Sequence, residues 1–125
     1  MTVGQIYQKY GQSAGESGFG PRSFDGYHWG LDMPTPEGVE IHAHVDGRLA
    51  LSGFYDGVGI IVLEHADGSF NDQFGHLSAV QLPIGSKVRK GDFLGKTGSS
   101  GASAAHLHFE HDHGTFKGSI TANHN

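Results

Sequence analysis

The chain has 125 residues, no cysteine and a net charge of −5 with histidine neutral. That length supports one compact domain rather than two, and the lack of cysteine excludes disulfides, thiolate metal sites and a thiol nucleophile. The acidic balance argues against a nucleic-acid partner, whose binders carry a basic patch, and no stretch reads as a membrane span or a leader peptide.

Taken in chain order, residues 1–17 are loop-rich, and Ile6 to Tyr10 is the one candidate for a short helix. Gly20-Pro21 signals a turn, and Pro34 and Pro36 exclude a regular helix over residues 22–37. From Val39 the pattern changes. Val39, Ile41, Ala43 and Val45 alternate with Glu40, His42 and His44, the period of a half-buried strand. Asp46-Gly47 then predicts a hairpin turn, with Leu49 and Leu51 on the second strand. Ile60 to Leu63 reads as a central strand and Ala66-Asp67-Gly68 as a turn. Phe70 to Leu77 is the returning strand, and Pro83 to Gly85 turns again. Val88 to Leu94 and Leu107 to Phe109 are two further short strands, separated by a Gly, Ser and Ala loop over Thr97 to Ala105. With 21 glycines and no helical periodicity, the fold class is all-β with antiparallel strands joined by short turns. The chain divides into the segment 1–17, a domain over 18–113 and a polar tail over 114–125.

Ten histidines are unusual for this length, and three segments concentrate the chemistry. In His106-Leu107-His108-Phe109-Glu110 the two histidines share one face of a strand, about 6–7 Å apart at the backbone, and Leu107 and Phe109 face a core. In His28-Trp29-Gly30-Leu31-Asp32 the His and Asp are four apart. On a straight strand that is about 13 Å, too far for one ion, so a bend or turn at Gly30 is expected. The third segment is Gly75-His76-Leu77-Ser78. His28, Asp32 and one histidine of the His106/His108 pair make two imidazoles and a carboxylate, which leave a fourth position on zinc for water, the signature of a catalytic site. His76 and the other histidine of the pair are then candidates for general base and oxyanion partner. The remaining histidines, His42, His44, His65, His111, His113 and His124, read as solvated surface or tail residues. His111 and His113 alternate away from His106 and His108 and stay out of the zinc site. Glu110 shares their face, either to orient a histidine or to point to solvent.

These segments carry a resemblance. His28-Trp29-Gly30-Leu31-Asp32, Phe74-Gly75-His76-Leu77-Ser78 and His106-Leu107-His108-Phe109-Glu110 are similar, in order and spacing, to the motifs of the lysostaphin-type zinc endopeptidases of cell-wall lysis. Val45 to Leu49, Gly85 to Asp92 and Gly98 to Gly101 match as well, so the resemblance covers roughly residues 18–111. It implies an antiparallel sheet with a substrate groove. His28, Asp32 and His108 become the Zn2+ ligands, His106 the catalytic partner of the metal-activated water, and His76 the residue that assists the tetrahedral intermediate. The implied substrate is a stem or crossbridge peptide of bacterial peptidoglycan. Members that cut glycine bridges carry a supporting Tyr ahead of the first motif, where this chain offers only Tyr27, next to His28. Gly75 stands where Ala is frequent, and His44 where a small residue or Pro is usual.

The alternatives are a catalytically silent wall-binding or regulatory module of the same fold, a sugar-phosphotransferase-type phosphocarrier, and a lipoyl-like carrier. The phosphocarrier explains two histidines but leaves Asp32 and His106-Leu107-His108 without work, and the lipoyl reading has no lysine at a convincing hairpin tip. The expected setting is a monomeric domain acting outside the cell at the bacterial wall, as part of a larger secreted or virion-associated protein, with a phage tail lysin preferred. No membrane partner is expected.

Overall fold

The computed structural model describes residues 28–118, with side chains from Thr35 onward. The helix expected near Ile6 to Tyr10 and the tail histidine His124 lie outside them. Eight strands follow in order: β1 His28–Pro34, β2 Glu40–His42, β3 Gly47–Tyr55, β4 Val58–His65, β5 Phe70–Val80, β6 Lys87–Val88, β7 Phe93–Thr97 and β8 His106–His113. Every pairing is antiparallel and no helix forms among the described residues, as the all-β reading requires.

The sheet runs β1-β8-β5-β4-β3-β6, and β7 pairs with both β2 and β5. The long strand β5 organises it. Its first six residues, Phe70 to Gly75, pair with β8, whereas Leu77 to Val80 pair with β7. The sheet therefore divides along one edge of β5 and curls, with the short β2–β7 pair covering one face.

β4 shows why Ile60 to Leu63 reads as an unbroken apolar run. Ile61 and Leu63 enter a core with Ile41, Leu49, Phe74, Leu77, Leu94, Leu107 and Phe109. Ile60 and Val62 pack on the opposite face with Val58, Leu51, Tyr55 and Phe116. A central strand covered on both sides needs apolar residues at every position. Within the main core the rings of Phe74 and Phe109, register partners on β5 and β8, sit 5.1 Å apart and tilted by 53°, a favourable aromatic arrangement.

Three expectations need correction. The strand predicted over Val39 to Val45 is ordered as a strand only over Glu40–His42. Its partner is β7 and not β3, so Asp46-Gly47 is a corner rather than a hairpin turn. Asp46 ties that corner down: its Oδ1 accepts from Lys90 N and its carbonyl from Ala66 N. Gly47 is needed there because a Cβ would lie 2.0 Å from the Glu64 carbonyl oxygen. The strand predicted over Val88 to Leu94 is interrupted by a turn. Asp92 closes it, its carboxylate accepting from Arg89 N at 2.9 Å, and β7 starts only at Phe93.

Ile61 is fully buried in the main core. Ile61→Ala should cost about 2–5 kcal/mol, read as a lower urea midpoint with unchanged slope; an unchanged midpoint would place Ile61 outside the packed core.

Candidate active site

β8 sets out the site by simple alternation. Leu107 and Phe109 are buried in the core, so His106, His108 and Glu110 project from the other face. The β1–β8 pairing then brings Asp32 into register with His108, Pro34 with His106 and Gly30 with Glu110. Of the bend or turn expected at Gly30, the turn does not form: β1 is one strand from His28 to Pro34, each residue matched to one partner on β8. A continuous neighbouring strand offers a ladder partner along the whole of β1, with hydrogen-bonded and non-hydrogen-bonded pairs alternating. His28 accordingly lies opposite Asp112, two register positions beyond Glu110.

His76 reaches the same face by an irregularity. Gly59 pairs with Leu77 and Ile61 with Phe74, so three steps on β5 match two on β4. This is a β-bulge at Gly75-His76. His76 takes the extra residue's strain with φ +62°, a conformation costly for residues with a side chain but more often found for His than for bulky or branched ones. The bulge lets Phe74 and Leu77, three apart, both enter the core while His76 faces His106 and His108. Its ring lies 4.5 Å from His106 and 6.4 Å from His108, centroid to centroid.

Ser100, in the loop before β8, holds the bulge together. Its hydroxyl donates to the Leu77 carbonyl at 2.6 Å and accepts from Gly59 N at 2.9 Å, backbone groups that a regular ladder would have paired. Its carbonyl accepts from His76 Nδ1 at 2.7 Å. A carbonyl oxygen can only accept a hydrogen bond, so Nδ1 carries the hydrogen and proton exchange is left to Nε2. His106 is arranged alike, with Nδ1 donating to the Ala104 carbonyl at 3.1 Å. In His108 the roles reverse: Nε2 donates to Glu110 Oε1 at 3.3 Å, so Nδ1 carries the ring's lone pair. Glu110 is 1% exposed. Of the two readings left open for it, the orienting one holds.

The donor set suits zinc. A nearly buried histidine braced through one ring nitrogen by a carboxylate is the usual setting of a metal-ligating imidazole, and a second carboxylate, Asp32, is its register partner. His42 keeps its expected place at the surface, with Nδ1 donating to the Gly91 carbonyl and Nε2 against Glu40, both at 2.9 Å, and its pKa is raised by the Gly91 carbonyl and then by Glu40. His65 and His111 do not match their reading as solvated residues. Both are partly buried against Asp72, which is fully buried. The signal was available: Asp72 stands between Phe70 and Phe74 on the core-facing alternation of β5, where a carboxylate requires partners.

Comparison with known proteins adds four findings. Residues 26–119 match the model of peptidase family M23. Glycyl-glycine endopeptidase ALE-1 of Staphylococcus capitis is 34% identical over 99 residues, 74% of this chain and 27% of that protein. Murein hydrolase activator EnvC of Escherichia coli is 34% identical over 83 residues, 65% of this chain and 20% of that protein. The chain thus spans about a quarter or less of the length of these relatives. Among solved structures, the catalytic domain of lysostaphin from Staphylococcus simulans superposes with a TM-score of 0.65 at 30% identity, covering 79% of each chain.

Ser100→Ala removes the side-chain partners of two backbone groups beside the bulge. It should lower stability by about 1–3 kcal/mol by urea unfolding, and it should move the His76 imidazole resonances in NMR. Unmoved His76 signals would show that Ser100 does not position that ring.

Proposed function

The chain belongs to peptidase family M23, and from that premise we propose that it is a zinc endopeptidase that hydrolyses peptide bonds in the stems or crossbridges of bacterial peptidoglycan. One observation carries the reading: β8 sends out His106 and His108 on the face to which the bulge turns His76, with Asp32 in register with His108. His28, Asp32 and His108 would hold the zinc, His108 through Nδ1, the ring nitrogen that Glu110 does not engage. His28 joins from four residues along β1, a separation that strand curvature at Gly30 would have to shorten.

Zinc bound there supplies Lewis acidity to the scissile carbonyl and to the attacking water. The chain's own residues do the rest. His106 takes the water proton at Nε2, because its Nδ1–H is committed to the Ala104 carbonyl. It then delivers that proton to the departing amine as the C–N bond breaks. His76, fixed through Nδ1 on Ser100, directs Nε2 across the site and, when protonated, donates to the oxyanion. Burial of His76 and His108 keeps water from competing for these hydrogen bonds.

A second reading has one observation in its favour: the relative EnvC is named for activating a murein hydrolase and not for cleaving. A silent wall-binding module would not need an imidazole at each of positions 28, 76, 106 and 108. We place the action outside the cell at the wall, delivered by a secreted or virion-associated protein; a full-length sequence with a leader peptide would decide for secretion.

Zinc-loaded protein incubated with peptidoglycans of different bridge chemistry should generate new amino termini detectable by mass spectrometry, and chelation should abolish and zinc restore them. His106→Ala should lower kcat by about 10²–10⁴-fold with zinc content unchanged. Wall binding without cleavage by the native protein would instead favour the silent module.

A further inference from the structure

A second cluster of metal-ligating side chains lies on the opposite face of the same two strands. His111 is in register with Asp72 across β8 and β5, and Leu63, two residues before His65 on β4, is the β4 partner of Asp72. Three strands thus deliver a His, an Asp and a His to one point. His65 Nε2 donates to Asp72 Oδ2 at 2.6 Å, and His111 Nδ1 donates to Asp72 Oδ1. One donor atom from each residue lies within 4.8 Å of the others. Asp72 is fully buried, and the His65 and His111 side chains are 13% and 20% exposed.

The cluster cannot share the ion of the β1–β8 site. On β8, His111 alternates with Glu110, and on β5, Asp72 alternates with Gln73, so both project through the sheet away from His106 and His108. It also has a way in. A pocket of about 420 Å³ opens on it, lined by His44, His65, Phe70 and His111. Phe70 stacks on His111 with ring centroids 4.4 Å apart and 20° between planes, which limits the imidazole's rotation.

We propose that His65, Asp72 and His111 form a second divalent transition-metal site, with zinc the fitting ion and a water or His44 in the fourth position. Two imidazoles and one carboxylate suit zinc, and they disfavour calcium and magnesium, which take oxygen ligands. One ion replaces the two protons that the ring nitrogens now direct at the carboxylate. Asp72 stays ionised in its buried position: burial opposes its charge, but the hydrogen bonds from His111 and then His65 outweigh it and lower its pKa. A bound ion would clamp β4, β5 and β8 directly behind the strands that carry His76, His106 and His108.

The test is a count of zinc per chain after loading and gel filtration, on the native protein and on His108→Ala, His65→Gln and the double variant. The expected counts are two, one, one and none. One ion in the native protein that is lost in His108→Ala and kept in His65→Gln overturns the proposal, as does an ion retained by the double variant. One ion kept in His108→Ala and lost in His65→Gln supports it while contradicting the assignment of the β1–β8 site. Should His65→Gln fail to fold, the native protein and His108→Ala decide: an ion kept by His108→Ala together with a cobalt spectrum of tetrahedral imidazole ligation supports the site, and none kept overturns it.

Discussion

A strand of period two cannot place residues three apart on one face, yet Phe74 and Leu77 are both fully buried in the same core. The bulge at Gly75-His76 resolves this conflict, and much else depends on it. It lies where the partner of β5 changes from β8 to β7, so it is also where the sheet divides and curls. It puts a histidine into a left-handed conformation that costs about 1–2 kcal/mol, held by the packing of the residues on either side and by three hydrogen bonds to Ser100. Strain of this kind persists where the surroundings over-determine it, and functional residues concentrate at such places.

The second organising fact is that β8 serves two faces at once. Leu107 and Phe109 anchor it in the core, and the intervening His106, His108 and Glu110 are presented by a backbone that packing has already fixed. A site built on a strand this well anchored gains accuracy from the core at no cost to the chemistry. Farther along, the same alternation turns His111 to the core side, where Asp72 meets it. One strand pair thus carries polar clusters on opposite faces, sorted by simple alternation on β8 and, on β5, by the bulge that separates Asp72 from His76.

Much of this was legible in the sequence. The His106-Leu107-His108-Phe109 pattern specifies a strand with two histidines on one face, and the structure has that. The turns at Ala66-Asp67-Gly68 and Pro83-Gly85 were read from residues that favour them, and Gly68 and Gly85 take positive φ. What stayed hidden was tertiary. Asp46-Gly47 has the local chemistry of a hairpin, but Asp46 spends its side chain on Lys90, 44 residues away. That β1 stays paired through Gly30 instead of turning there is the work of β8, a partner that local pattern does not reveal. The pairing of His65 and His111 through Asp72 was missed because each histidine was judged alone, although a carboxylate between Phe70 and Phe74 calls for partners.

The central claim is that strand register, set by the core, delivers Asp32 and His108 to one ion with His28. Anomalous scattering at the zinc edge from crystals of the zinc-loaded protein tests it most directly. The account predicts a peak bonded to His108 Nδ1, Asp32 and His28, with Glu110 still on His108 Nε2. Zinc absent from His108, or bound there without Asp32, would contradict it.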